Sequence, residues 1–168
     1  LRWVVACAGG GEAGGRIVGK GGVPHDMAIF QRTIDLNVTG SFNTLRLTAS
    51  AMSTNLADPD GERGAAVLVT SGAGFEGQIG QAAYSATKAA LAGMTLPLAR
   101  EFAAFGIRVM SIAPGIFHTP MVGGMTPEVQ ASLASQIPFP KRLGQAEEYA
   151  RLVESIFTIP MLNGETIR

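Results

Sequence analysis

AAVLVT, residues 65–70, and IRVMSIAPG, residues 107–115, are two short apolar runs from which the fold class can be inferred. Short apolar runs bounded by turn residues are typical of buried β-strands. Residues 84–105 between them are rich in alanine and leucine, which predicts a long helix kinked at Pro97 and ended by Gly106. A strand, a helix and a second buried strand in this order indicate a parallel sheet with helices on its faces.

The rest of the chain continues this alternation of strands and helices. WVVACA (3–8) predicts a first strand, and NGETIR (163–168) predicts the start of a last one. Asp26 is expected to cap a helix with Met27, Ile29, Phe30 and Ile34 on its apolar positions. Further helices are predicted at 38–52, with Phe42, Leu45 and Leu47 at helical spacing, and near 127–136 and 145–157. We therefore predict the α/β class, with a doubly wound parallel sheet in a single domain over 1–168.

Composition excludes several classes of partner. The chain has 168 residues, 46% of them hydrophobic, and its 13 basic and 13 acidic side chains balance to a net charge of zero. This balance gives no electrostatic reason to expect nucleic acid or an anionic membrane as a partner. No apolar run approaches the roughly 18 to 20 residues of a membrane span. Cys7 is the single cysteine, which favours a reducing compartment such as the cytoplasm, or the mitochondrial matrix in a eukaryote. We predict no metal site.

Two glycine motifs follow the first strand, and both lack the helix that they need. Gly9, Gly11 and Gly14 spell the dinucleotide fingerprint G-x-G-x-x-G, but GRIVGKGGVP follows, which predicts a mobile loop. Gly14 to Lys20 nearly spells the P-loop of nucleotide triphosphatases, with Gly21 where serine or threonine should hold Mg²⁺. A P-loop enzyme stays an alternative on this motif alone, although Lys20 is more simply a solvated loop residue.

One group of polar side chains can carry chemistry. Ser71 directly follows the strand at 65–70, and open α/β sheets bind ligands at such carboxyl ends. Tyr84 and Lys88 are four residues apart and therefore share one face of the following helix. A free phenol gives up its proton only near pH 10, so a tyrosine base working near neutral pH needs a cation nearby. Lys88, at about 4 Å, would be that cation, and Ser71 would hydrogen-bond the reacting oxygen.

The active site of the short-chain dehydrogenase/reductase family is similar to the combination of Ser71 and the segment YSATK. This segment begins with Tyr84 and ends with Lys88. CAGG (7–10), NVTG (37–40) and APG (113–115) are similar to further motifs of that family, in the same order along the chain. The resemblance implies a Rossmann-type fold, a nicotinamide cofactor and a role for Asn37 in holding a water that links Lys88 to a proton relay. It also implies two sets of binding residues: Cys7, Ala8, Gly9, Tyr84, Lys88, Pro114, Gly115, Phe117 and Thr119 for the cofactor, and Ser71, Gln81 and Tyr84 for the substrate.

Longer stretches resemble one group within the family, the type 2 3-hydroxyacyl-CoA dehydrogenases. These stretches are residues 75–103, 106–117 and 138–153. The resemblance implies oxidation of a 3-hydroxyacyl-CoA with NAD⁺ as the cofactor, or with NADP⁺. It also implies a homo-oligomer, either a dimer or a tetramer, that is built from the helices at 38–52 and 84–105. Alternatives are a 3-oxoacyl carrier-protein reductase, another short-chain dehydrogenase, or a scaffold without catalysis.

The chain departs from the family pattern at its ends. The glycine turn T-G-x-x-x-G-x-G that binds the diphosphate is not found, nor is the acidic residue that selects NAD over NADP. We therefore expect the chain to hold the C-terminal part of a Rossmann-type domain, without its first three strands and truncated at both ends.

Overall fold

The fold is a four-stranded parallel sheet between two layers of helices. The computed structural model describes residues 1–11 and 15–168. The strands are β1 (Trp3–Ala6), β2 (Gly64–Val69), β3 (Ile107–Ile112) and β4 (Thr166–Ile167), and they lie side by side in chain order. All three pairings are parallel, with Ala6 beside Leu68 and Val69 beside Ile112. The predicted class and the parallel sheet are confirmed.

The connection from β1 to β2 contains one continuous helical rod rather than the two separate helices that we predicted. The α-helix α1 (Met27–Ile34) runs into a π-helical turn at Asp35–Thr39, which runs directly into α2 (Gly40–Met52). Asp26 caps α1 as predicted, since its carboxylate accepts a hydrogen bond of 2.8 Å from the amide of Ala28. The sequence did not show the π-helical turn because residues 35–39 keep a helical pattern across it.

The connection from β2 to β3 contains the long helix that the sequence predicted. The one-turn helix α3 (Ala73–Glu76), which we did not predict, comes first, and α4 (Ala82–Phe102) follows. Pro97 lies inside α4 without ending it, and a 3-10 turn at Ala103–Phe105 completes the connection. Gly106 then has a φ of 66°, a left-handed conformation that glycine adopts without strain.

The last connection is built from three helices. These are α5 (Pro120–Gly123), α6 (Pro127–Ser135) and α7 (Ala146–Thr158), and only the one-turn helix α5 was not predicted. Gln145 and Glu148 form a reciprocal capping box at the start of α7. In the described part of the chain, none of the helices combines the length and the apolar character needed to cross a bilayer.

Alternate strand residues point to opposite faces of the sheet, and each face has its own core. Ala66, Leu68 and Val109 pack against α2 and α4, with Leu45, Met52 and Leu91 among the buried helix residues. Val67, Met110 and Ile112 pack against α7 on the other face. Of the apolar positions predicted for α2, Leu45 is buried, but Phe42 and Leu47 are about half exposed. Because the strands are parallel, the loops after β1, β2 and β3 all lie at one edge of the sheet.

Candidate active site

The loops after β1, β2 and β3 bring the predicted site residues to the same edge of the sheet. Hydrogen bonds tie the second and third loops together, since the amides of Thr70 and Gly72 donate to the carbonyls of Ile112 and Pro114 at 2.9 Å each. Carboxyl ends of parallel strands are where open α/β sheets bind ligands. The edge therefore has the position expected of a ligand site.

Asn37 lies in the π-helical turn, fully buried, and fixes the backbone after β1. Its amide nitrogen donates to the carbonyl of Gly10 at 2.8 Å and to that of Thr33 at 2.9 Å, and its oxygen accepts from the amide of Gly10 at 3.1 Å. A Cβ at Gly9 would lie 2.7 Å from the Asn37 oxygen and 3.3 Å from the Lys88 amino nitrogen. Only glycine lets the backbone approach this pair so closely. The water predicted beside Asn37 stays a prediction.

Lys88 is a buried cation on α4. Its side chain is 5% exposed, and its amino group donates a hydrogen bond of 2.9 Å to the carbonyl of Val69 at the end of β2. Burial lowers the pKa of the Lys88 ammonium from its ordinary value of 10.5, and the thiol of Cys7 acts in the opposite direction. The hydroxyl of Thr70 donates to the Lys88 carbonyl at 2.5 Å, which anchors the helix to the strand end.

Tyr84 lies one helical turn before Lys88, on the same side of α4. The amino nitrogen of Lys88 is 5.6 Å from the centre of the Tyr84 ring. A Cβ at Gly11 would come within 3.6 Å of that ring, so the glycine-rich segment passes close beside it. Lys88 and Tyr84 are therefore neighbours on α4, and the catalytic pairing expected of them stays a prediction.

Ser71 follows β2 as predicted and begins the turn into α3. Its hydroxyl oxygen accepts a hydrogen bond of 3.1 Å from the amide of Ala73, so its own proton remains available for donation. α3 packs tightly on α4, because a Cβ at Gly74 would lie only 2.9 Å from the Lys88 carbonyl carbon and the Ala89 nitrogen. Sequence reasoning missed this glycine, since the close approach of two helices is a tertiary property.

A cleft of about 600 Å³ lies beside Tyr84. Its lining contains predicted residues from α4 and from the loop after β3, together with residues that we did not predict. The predicted ones are Gln81, Tyr84, Pro114, Gly115, Phe117 and Thr119, and the others are Ile116, Val122, Ala146 and Tyr149. Ser71 and the exposed residues Cys7, Ala8 and Gly9 lie outside this lining, at the ends of β2 and β1. The mostly apolar wall with a few polar groups suits a small organic ligand.

Tyr149 is the main residue of the cleft that sequence reasoning missed. Its ring meets that of Phe117 edge to face, with 5.9 Å between the ring centres. Its hydroxyl is buried and has no hydrogen-bond partner among the residues that the structure describes. Burial raises the pKa of the Tyr149 phenol, with a smaller contribution from Cys7, so the side chain is neutral. The only available signal was that Tyr149 is the second of two tyrosines in the chain.

The two glycine motifs do not form a phosphate site in the described part of the chain. Gly14, which both motifs need, lies outside the described residues. Lys20 is exposed in a single 3-10 turn, Lys20–Gly22, in which Gly21 and Gly22 have φ of 74° and 80°. The next α-helix begins only at Met27. The helix N-terminus that a P-loop places at the phosphates does not follow this lysine.

Comparison with known proteins identifies the family of this arrangement. The family described as short chain dehydrogenase matches residues 3–130. The chain is 50% identical over 168 residues to the 3-hydroxyacyl-CoA dehydrogenase type-2 of Drosophila melanogaster, covering 100% of this chain and 66% of that protein. It is 51% identical over 164 residues to the Homo sapiens protein of the same name, covering 98% of this chain and 63% of that protein.

A solved structure gives the same result. The crystal structure of 3-hydroxyacyl-CoA dehydrogenase type-2 from Mycobacterium avium superimposes with a TM-score of 0.97 at 45% sequence identity, covering 100% of this chain and 65% of that one. The resemblance predicted from the motifs is confirmed. The chain spans slightly less than two thirds of the length of the relatives that it matches.

Proposed function

Because the chain belongs to the short-chain dehydrogenase family, we propose that the full-length protein is an NAD-dependent oxidoreductase that converts a 3-hydroxyacyl-CoA to a 3-oxoacyl-CoA. The relatives named 3-hydroxyacyl-CoA dehydrogenase type-2 support this substrate class. The observation that carries the proposal is the buried Lys88 amino group, 5.6 Å from the ring of Tyr84 at the wall of an apolar cleft. Such a pair is suited to moving a proton to or from a bound alcohol or ketone.

The described residues fit a nicotinamide cofactor. A Cβ at Gly115 would meet no atom within 4 Å, so the wall of the cleft is open there, and Gln81 and Thr119 add polar groups to an apolar surface. We propose that Cys7, Ala8 and Gly9 border the nucleotide at the end of β1. Pro114, Gly115, Phe117 and Thr119 would line the nicotinamide end, together with Tyr84 and Lys88. When bound, the cofactor supplies the acceptor for the hydride that leaves C3 of the substrate.

Each catalytic side chain has one task in this proposal. Tyr84 accepts the proton of the C3 hydroxyl as the carbon–hydrogen bond at C3 breaks, and the substrate becomes a ketone. Lys88 stabilises the phenolate with its positive charge. Ser71 donates a hydrogen bond from its hydroxyl to the substrate oxygen and fixes its position, while Gln81 contacts the substrate at the start of α4. Asn37 fixes the segment after β1 against Lys88 and is proposed to hold the relay water.

The substrate class can be tested by changing the carrier while the acyl group stays the same. The full-length protein should reduce acetoacetyl-CoA with NADH at a kcat/KM at least ten times its value for acetoacetyl-acyl carrier protein. The same assay with NADPH should be slower than with NADH. Oxidation of NADH is followed by its absorbance. A preference for the carrier protein would instead support a 3-oxoacyl carrier-protein reductase, and absence of turnover with either would refute the proposed function.

We also propose that the protein forms a homo-oligomer through α2 and α4. A groove of about 360 Å³ between these helices is lined by Phe42, Leu45 and Phe105, and Phe42 and Phe105 are about half exposed. Arg46 and Glu101 line the same groove with opposite charges. In a twofold contact the same patch meets its copy, so the two charges would lie across from each other. A second copy would therefore bury apolar surface and pair charges at one contact.

Phe42→Glu should weaken this association. A buried aromatic anchor is typically worth more than 1 kcal/mol in an interface, so the dissociation constant should rise about fivefold or more. Light scattering of the full-length protein at micromolar concentration measures the effect. Leu56→Glu is the control, since Leu56 is 87% exposed in the loop after α2, away from the groove. A wild-type protein that is monomeric under these conditions would contradict the proposal.

For location, we propose the cytoplasm, or the mitochondrial matrix in a eukaryotic cell. The single cysteine, exposed at the end of β1, supports a reducing compartment because an exposed thiol persists there.

A further inference from the structure

The short helix α3 determines how the Ser71 hydroxyl is presented. The first amide of α3, that of Ala73, donates to the Ser71 oxygen at 3.1 Å, and the amide of Gly74 donates to the Ser71 carbonyl at 3.0 Å. α3 has only four residues, Ala73–Glu76, and a single helical turn is not stable by itself. Its position, and with it the direction of the serine hydroxyl, therefore depends on what holds α3 from outside.

Two neighbouring elements of the site itself hold α3, and a third contact comes from outside the site. On one side, Gly74 packs against the backbone of α4 at Lys88. At its start, the amide of Gly72 donates to the carbonyl of Pro114. Both contacts use backbone atoms of elements that the site already contains. The third contact comes from a different part of the fold.

Arg168, directly after β4, holds the far end of α3. Its guanidinium lies 2.5 Å from a carboxylate oxygen of Glu76 and 5.0 Å from the centre of the Phe75 ring. These are the last two residues of α3, so one side chain makes an ion pair and a cation–π contact with a single helical turn. β4 is paired with β3 up to Ile167. The backbone of Arg168 is therefore attached directly to the sheet.

We propose that Arg168, through Glu76 and Phe75, is a positioning residue for the Ser71 hydroxyl. The inference rests on the proposed function, because Ser71 must take part in turnover for its position to matter. When Arg168 is lost, α3 keeps its two backbone contacts but can tilt, and the serine hydroxyl spends less time aimed at the reacting oxygen. The fold loses little, since both partners are half exposed or more and surface ion pairs add little stability.

The test is steady-state kinetics of the full-length enzyme with Arg168→Met. Loss of an exposed ion pair and a cation–π contact should lower kcat about two- to tenfold. The KM for the substrate and the Kd for NADH should stay within twofold, and Tm should stay within about 4 °C. Arg168→Lys keeps the ion pair and should recover most of kcat. Arg151→Met, which removes an exposed arginine of α7 outside the cleft lining, is the matched control and should have no effect.

A double-mutant cycle separates positioning from a general structural role. In a Ser71→Ala background, Arg168→Met should cause no further loss of kcat, because the hydroxyl that it positions is already absent. An equal loss with and without Ser71 would overturn the inference, as would full kcat in Arg168→Met. Both outcomes leave the proposed function intact, since they require an active wild-type enzyme. An inactive wild-type enzyme would refute the proposed function and this inference together.

Discussion

Tyr84→Phe in the full-length enzyme is expected to lower kcat by at least 100-fold while NADH binding stays nearly unchanged. The substitution removes one oxygen atom and little volume, so the packing of α4 should tolerate it. What it removes is the group proposed to exchange a proton with the substrate hydroxyl. General acid–base catalysis is typically worth about 10²- to 10⁴-fold, which sets the size of the loss.

Tyr149→Phe is the matched control for this experiment, because it removes the hydroxyl of the only other tyrosine in the same cleft. It should leave kcat within about threefold of wild type, since the Tyr149 hydroxyl is buried and is given no part in the chemistry. NADH fluorescence titration measures binding for both variants. If Tyr84→Phe kept more than about a tenth of wild-type kcat, proton transfer by this phenol would be ruled out.

Lys88→Ala should reduce activity at pH 7 about 10- to 1000-fold, because an opposite charge nearby favours the ionised form of an acid by about that factor. The residual activity should rise as the pH is raised, since a phenol without its cation loses a proton only in more alkaline solution. In the wild type, burial already lowers the pKa of the Lys88 ammonium, so its charge is lost at high pH sooner than that of an exposed lysine. The measurement is a pH profile of kcat for both proteins.

Lys20→Ala is the control for this profile, because Lys20 is an exposed lysine in the loop that resembles a P-loop. It should change neither kcat nor its pH dependence. A profile of Lys88→Ala that is scaled down but keeps the wild-type shape would contradict the electrostatic role of Lys88. A large effect of Lys20→Ala would contradict the interpretation of Lys20 as a solvated loop residue.

The strands and the long helices could be predicted because their signals are local. A run such as AAVLVT cannot remain exposed to water, and the alanine- and leucine-rich stretch before Gly106 has a helical pattern and a glycine at its end. β2, β3 and α4 therefore lie where the sequence indicated, within a few residues at each end. The placement of Ser71, Tyr84 and Lys88 could be predicted for the same reason, since it depends only on a strand end and one helix. Their catalytic roles stay predictions.

Other features could not be predicted because they depend on tertiary contacts. Phe42 and Leu47 have the spacing of an apolar helix face, yet both are about half exposed in the chain as described. The π-helical turn contains Asn37, which bonds to Gly10, a partner 27 residues away that the local pattern does not contain. Tyr149 joins the cleft only because α7 packs on the second face of the sheet.

The fate of the hydrogen at C3 of the substrate tests the proposed hydride transfer directly. The full-length enzyme is incubated with NAD⁺ and 3-hydroxybutyryl-CoA carrying deuterium at C3, and the NADH formed is analysed by mass spectrometry. Direct hydride transfer predicts one deuterium atom in each NADH molecule and none released to water, with Tyr84→Phe forming the same labelled product far more slowly. Unlabelled NADH, or deuterium in the solvent, would contradict the mechanism proposed for this site.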